Sequence, residues 1–531
     1  MCSKARNQKD AGNMSEPAKK AVIIGSGISG LTAAYHLLQC GYEVKILEQH
    51  YEPGGFTHTF KRRNFVWDIG VHYIGQMASE KYLSRQIFDV MSGGKLQWAE
   101  IGPQIDRLIF PDRSYNLLKG KEAWLETLIE AFPEDEYGLT LLMEDIKKIA
   151  RSTENFFMEK ALAQPLAWIA GPFLRRNFLK YANMNTKYAL NKYSKNPKLH
   201  GVLAGQYGDF GLTPARSSFA MTAMIINHYL NGAFYPVGGS KEIAATILAE
   251  IQRRGGSIQT RAKVKSIQLH EKRVSGLRLE KGEFIPADIV ISSAGVFNTF
   301  TQMLPEELKQ KDKLQSKLEK VSPSAAHICL HLGLDQSAET LHLPKTNHWV
   351  FPDYDHDGAT ERFLKDIKAP FPVVFISFPS AKDPAWKESH GETATIEAIS
   401  LAPYEWFEKW QKQKVMQRDD EYNDLKEILQ ERLLSSVTNL FPQIKNHIIH
   451  AETSTPLSTK HYTNYQRGEI YGLDHSPQRF RQRWLRPKTS IPGLWLTGQD
   501  IVTDGIVGAM MSGILTVAAI TGKNLLKQYK K

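Results

Sequence analysis

The sequence predicts an α/β fold organised around a three-layer, Rossmann-type dinucleotide-binding domain. Three observations carry that expectation. An apolar, strand-like run ends on a glycine turn, the turn opens an Ala- and Leu-rich helix, and a second strand-like run ends on an acid about 20 residues later.

In chain order, Lys20 to Ile24 has strand character and leads into the turn Gly25-Ser26-Gly27-Ile28-Ser29-Gly30. Leu31 to Gln39 continues as a helix stopped by Gly41. The first glycine permits the tight turn, Gly27 lets the backbone approach a pyrophosphate, and Gly30 lets the helix pack on the strand. The helix N-terminus then faces the phosphates, where unpaired amides and the macrodipole favour negative charge. The second strand, Glu43 to Leu47, delivers Glu48, with Gln49 beside it, to accept hydrogen bonds from a ribose diol.

Length and composition bound the rest. A chain of 531 residues is long for one hydrophobic core, and 42% hydrophobic with 23% charged residues is a globular composition that argues against disorder, collagen-like repeats and multi-span membrane architecture. Cys2, Cys40 and Cys329 show no metal or disulfide spacing, so no metal site is expected and a reducing compartment fits. Residues 1–17 read as a disordered lead-in without an apolar signal region, which points to an intracellular protein, cytoplasmic or peripheral at a membrane. The net charge of +11 comes with no nucleic-acid motif, so no nucleic-acid partner is expected. One dense basic patch, Arg479 to Lys488, and the C-terminal Lys527, Lys530 and Lys531 read as solvated charge. Gln411 to Glu431 reads as a charged, solvated helical region.

Downstream of Glu48, the pair Gly54-Gly55 closes the segment Glu48-Gln-His-Tyr-Glu-Pro-Gly-Gly55, and near the C-terminus Pro492 to Asp500 is followed by Gly505-Ile-Val-Gly508 and Gly513. With these blocks the sequence resembles the flavin-dependent amine oxidase and phytoene desaturase superfamily. The resemblance implies that the cofactor is FAD, that Gly54 and Gly55 lie against its phosphates, and that Gly498 and Asp500 contact its ribityl or pyrophosphate region. It also implies that the helix starting at Gly505 faces the isoalloxazine and that Val264 pairs its backbone with adenine. Amides of Gly505, Ile506 and Val507 would stabilise negative charge on a reduced flavin by ~0.3–2 kcal/mol. The resemblance further implies a discontinuous FAD-binding domain from residues 18–100, 234–300 and 485–531. An inserted α+β substrate domain, from 101–233 and 301–484, would face the membrane.

More specific blocks are His58-Thr-Phe60, Asp68 to Gly75, Gly205 to Gly211, Ser217 to Met221, His228 to Gly232, Tyr235 to Ser240 and Trp484 to Gly493. They resemble the retinol saturase and carotenoid isomerase family. That implies hydride exchange between flavin and one carbon of a conjugated double bond, with a proton moved at the neighbouring carbon and an apolar polyene, retinoid or carotenoid, as substrate. Saturation is the leading reading. Desaturation, isomerisation and a non-catalytic flavin- or lipid-binding role are the alternatives. The chain departs from the vertebrate members, which carry a Cys pair at Phe56-Thr57, a Cys at Asp504 and a cleavable N-terminal signal.

Candidate proton donors in these blocks are His58, His72, Tyr73, Tyr207, His228 and Tyr235, and His72, His58 and Tyr235 are the catalytic candidates. With one nucleotide fingerprint, no separate NAD(P)H domain is expected, and a transient nicotinamide or another reductant would supply electrons. The segment 156–180 is apolar, contains Trp168 and is flanked by Arg175, Arg176 and Lys180. Its two prolines are expected to break it, and it fits either a peripheral membrane anchor or a cap over the substrate domain.

Overall fold

Ala21 to Ile24 are buried because their strand, Lys20–Ile24, sits in the middle of a parallel sheet with both faces covered. The computed structural model describes residues 18–309 and 312–529. The expected lead-in, 1–17, and the terminal Lys530 and Lys531 lie outside the described residues.

The sheet runs Ser257–Gln259, Glu43–Leu47, Lys20–Ile24, Ile289–Ser292, Leu494–Leu496, all parallel, with Val22 opposite Lys45 and Val290. Helices Ile28–Gln39, Lys241–Arg253 and Gly505–Thr521 cover one face, and Ala21 and Ile23 pack there with Leu31, Ile247 and Ile514. A three-stranded antiparallel sheet, Val264–His270, Arg273–Leu279 and Phe284–Pro286, covers the other, where Val22 and Val290 meet Ile267 and Leu277. These are the three layers of a Rossmann-type domain. A Cβ at Gly30 would collide with the Gly25 carbonyl, and one at Gly513 with the Ser29 carbonyl, so both glycines serve close packing around the first helix.

A seven-stranded sheet forms the second body, in the order Ile448–Ser454, His327–Leu334, Ala394–Leu401, Val374–Ser377, Asn347–Val350, Gln104–Ile109, Ser114–Leu118. Every pairing is antiparallel except Asn347–Val350 with Gln104–Ile109. Helix Asp420–Leu440 buries Leu429, Leu433 and Val437 against it. This corrects the solvated helix expected at 411–431. Asp419 caps the helix by accepting from the Tyr422 amide, residues 411–418 are not helical, and the helix is amphipathic.

Helices Glu136–Glu159, Gln164–Ala182 and Phe219–Tyr229 pack together beside this sheet. Gln164–Ala182 also departs from expectation. Pro165 sits in its first turn, where no amide is needed, and the helix continues through Pro172, whose side is exposed so that water can satisfy the freed carbonyl. Among the described residues no helix is long and apolar enough to cross a membrane.

The basic patch at 479–488 is not a surface feature throughout. Arg479 is buried and donates to the carbonyls of Leu473, Gln499 and Val502, and buried Arg486 reaches the Glu159 carbonyl at 2.9 Å. Arg175, expected to flank a membrane segment, is buried and donates to the Phe480 carbonyl at 2.8 Å.

Candidate active site

Glu48 shows how the cradle is built. Its Oε2 accepts from the Ser26 amide at 2.8 Å and the Ser26 hydroxyl at 2.6 Å, and its Oε1 accepts from the His50 amide at 2.8 Å. A carboxylate offers about four lone-pair positions, so capacity remains for a diol. The Ser26 hydroxyl also accepts from the Gly54 amide at 3.0 Å, which ties the glycine turn to the Gly54-Gly55 pair. Gly25 adopts φ +94°, a conformation that favours glycine. A Cβ at Gly27 would meet no protein atom within 4 Å, so the space above it is open to a ligand.

Gly25, Gly27, Ile28, Ser29, Glu48, Gln49, Gly54, Gly55, Val264, Gly498, Gly505, Ile506 and Val507 all line one cavity of about 1880 Å³. Ligand pockets of about 300–1,000 Å³ hold a single small molecule, so this volume accommodates a dinucleotide and a second ligand together. The amides that open helix Gly505–Thr521 lack intrahelical partners and lie at the cavity wall. Three residues expected to touch the cofactor do not line the cavity. Ser26 stands behind Glu48, and Gly30 is at the helix–strand contact. The Asp500 carboxylate is committed to the Val296 and Leu473 amides, at 2.7 and 2.9 Å.

Beyond the cradle the cavity has apolar walls, among them Met221, Met224, Ile225, Val373, Phe375 and Ile399, and one polar wall. His72 is part of that wall. Its Nδ1 lies 3.1 Å from Glu397 Oε2, and His331 Nδ1 lies 3.7 Å from Oε1. Burial alone would raise the Glu397 carboxyl, but the two imidazoles outweigh it and bring it to about 2. Tyr73, next in sequence, places its hydroxyl 3.1 Å from Asp209 Oδ2 and 3.3 Å from Asp106 Oδ2, and its ring stacks on Tyr229 at 4.3 Å. Asp106 accepts from Gln206 Nε2 at 2.8 Å and Asn347 Nδ2 at 3.2 Å. Lys382, fully buried, donates to the Asn347 amide oxygen, to Ser377 Oγ at 2.7 Å and to the His72 carbonyl at 3.0 Å, and burial brings it down to about 7.

A family model described as flavin-containing amine oxidoreductase matches residues 210–521, and one described as an NAD(P)-binding Rossmann-like domain matches residues 23–89. All-trans-retinol 13,14-reductase of Danio rerio is 34% identical over 528 residues, which cover 95% of this chain and 86% of the relative. The chain belongs to the all-trans-retinol 13,14-reductase family. It is a flavin-dependent oxidoreductase with FAD as cofactor. Prolycopene isomerase 1, chloroplastic, of an Oncidium hybrid cultivar is a more distant relative, 24% identical over 521 residues that cover 95% of this chain and 84% of the relative. Among solved structures, putrescine oxidase bound to putrescine shares the fold, with a TM-score of 0.62 at 13% identity over 95% of this chain and 99% of that one.

Within this family fold the candidate proton donors separate. His72, Tyr73 and Tyr207 line the cavity. Tyr235 does not, since its hydroxyl is buried in a hydrogen bond to Asp68. His58 lines the cavity at the glycine pair, with Nδ1 2.5 Å from the Gly55 carbonyl oxygen, and burial, with His50 beside it, brings it down to about 4. His228 also lines the cavity, accepts from the Gly75 amide at 2.9 Å, and is lowered by burial to about 4. Glu397, Lys382, Asp106 and Asp209 were not singled out from sequence. Asp209 lies inside the block Gly205 to Gly211 and was the one with a signal. Asp106 and Glu397 are isolated polar residues in strands, and Lys382 ends the one-turn helix Pro379–Lys382.

Proposed function

We propose that this chain reduces one carbon–carbon double bond of an apolar conjugated polyene, a retinoid or a carotenoid. The observation that carries the reading is the continuity of a dinucleotide cradle with an apolar chamber in one cavity of about 1880 Å³. The family name adds the bond type, since the 34% identical relative is a 13,14-reductase of all-trans-retinol. FAD would lie along Gly25, Gly27, Glu48, Gly54, Gly55 and Val264, with its ring system toward Gly505, Ile506 and Val507. When bound, it supplies a hydride equivalent.

The protein's own residues do the rest. Apolar walls bind a polyene by excluding water, and burying ~400 Å² of it at ~25 cal/mol per Å² gives an upper limit of ~10 kcal/mol before entropy costs. The polar wall, which holds His72 with Glu397 and the Asp209–Tyr73–Asp106 group, is the source of the proton. Such a substrate resides in lipid. Leu166, Trp168, Ile169 and Phe173 are 58%, 72%, 73% and 78% exposed along one helix, and Leu166 also lines the cavity. We read this strip as a peripheral membrane contact at the cavity mouth.

The test is product mass. Protein reduced anaerobically and given a polyene panel yields a product heavier by two hydrogens. Unchanged mass with altered geometry assigns an isomerase instead, and loss of two hydrogens with oxidised protein assigns a desaturase.

A further inference from the structure

A phenol has one proton to donate, and Tyr73 faces two carboxyl groups. Its oxygen lies 3.1 Å from Asp209 Oδ2 and 3.3 Å from Asp106 Oδ2. If Tyr73 donates to one, the other contact places two acceptors against each other unless that carboxyl carries a proton. The group therefore holds two protons, one phenolic and one carboxylic.

Asp106 is the wrong place for the second. It is fully buried and already accepts from Gln206 and Asn347, and the Asn347 side chain is oriented by Lys382. Asp209 has the opposite surroundings. It lines the cavity, its carboxyl bonds to Tyr73 among the described residues, and the groups around it are Asp106, Asp504, Tyr73, Tyr229 and Tyr471, none of them a cation. Asp504 lines the same cavity, and its Oδ1 lies 3.2 Å from His475 Nε2, a nitrogen that accepts from the Asp504 amide, so neither carboxyl oxygen accepts a hydrogen bond and a second acid here is also short of donors. Burial, then the charge of Asp106, pushes Asp209 well above the ordinary carboxylate range.

We propose that Asp209 is the catalytic acid of this cavity, with Tyr73 and Asp106 as positioning residues behind it. The inference rests on the reductase reading. One carbon of the double bond accepts the hydride equivalent that FAD supplies after reduction by a two-electron donor, a nicotinamide or dithionite. The neighbouring carbon takes the Asp209 proton. The carboxyl O–H bond breaks and a C–H bond forms, and the one Tyr73 hydroxyl is then shared between two carboxylates, an arrangement that favours rapid return of a proton to Asp209. A proton from bulk solvent, carried in by water after product release, restores the acid. His72, which lines the same cavity with Nδ1 3.1 Å from Glu397 Oε2, is the competing donor.

Two measurements test this. Infrared spectra of the FAD-loaded protein without substrate, recorded in D2O from neutral to alkaline pH, report protonated carboxyl groups by their C=O stretch. Asp209→Asn should remove one such band at neutral pH, and Tyr73→Phe should shift that same band because its hydrogen bond is lost. If every band survives in Asp209→Asn, or one disappears only in Asp106→Asn, the assignment is overturned. In turnover, Asp209→Asn should lower polyene reduction by about 10²–10⁴-fold at unchanged FAD content, and Asp209→Glu should recover part of the rate. A wild-type rate in Asp209→Asn overturns the role of Asp209 alone. A wild-type protein that reduces no polyene overturns the functional reading and this role with it, while the infrared bands still report where the proton sits.

Discussion

Ser26 donates both its backbone amide and its hydroxyl to one oxygen of Glu48, at 2.8 and 2.6 Å. The carboxylate is thereby fixed before any ligand arrives, and its remaining lone pairs face the cavity. Glu48→Gln replaces one oxygen by an amide that cannot accept. Loss of a charge-assisted bond is worth about 1.5–3 kcal/mol, so FAD affinity should fall by roughly 10–150-fold, read by fluorescence titration of the apoprotein. An unchanged affinity would remove Glu48 from the ribose site.

Gly27→Val separates ligand space from packing. No protein atom lies within 4 Å of the position its Cβ would take. The variant should fold with wild-type circular dichroism yet purify without yellow colour. A variant that binds FAD normally would place the phosphates elsewhere.

The exposed strip on helix Gln164–Ala182 should carry vesicle binding. Replacing Trp168, Ile169 and Phe173 together by Ser should reduce co-sedimentation with vesicles containing anionic lipid, and salt should weaken the wild-type interaction only in part, because apolar insertion is not screened. Unchanged co-sedimentation would make the strip a cap.

Burial pushes the Asp504 carboxyl up to about 8, with Arg479 opposing. The folded state therefore keeps a proton that the unfolded chain has lost above its ordinary value of about 3.8. The stability this proton confers is fully present below that value and is lost as pH rises through about 8. Asp504→Asn, neutral at every pH, should unfold at a higher temperature than wild type at about pH 8 and show a flatter Tm profile between about pH 4 and about pH 8. A profile parallel to wild type would show that Asp504 does not stay protonated in the fold.

Much of the cofactor cradle was legible because its signals are local. Strand, turn, helix and Glu48 fall within about 30 residues, and backbone geometry restricts which residues can stand there. His72 and Tyr73 of the polar wall stood out in the sequence as residues able to donate a proton, but the partners behind them did not, for the opposite reason. Tyr73, Asp106, Asp209, Asn347 and Lys382 are brought together from five segments by the sheet containing Asn347–Val350 and Gln104–Ile109, and their spacing has no period. Burial decided the remaining differences. Arg175, Arg479 and Arg486 read as surface charge in sequence, yet each satisfies buried carbonyls. Asp500 sits in a cofactor-like block, yet both its oxygens are taken by backbone amides.

Electron coupling between flavin and polyene is the most direct test of the central claim. Protein reduced with one equivalent of dithionite is mixed anaerobically with all-trans-retinol or a carotenoid, and the oxidised-flavin and polyene absorption bands are followed together. Flavin-dependent reduction of a double bond should return oxidised flavin in step with a blue shift of the polyene, one flavin for each double bond lost. A flavin that stays reduced while every polyene keeps its spectrum would contradict it.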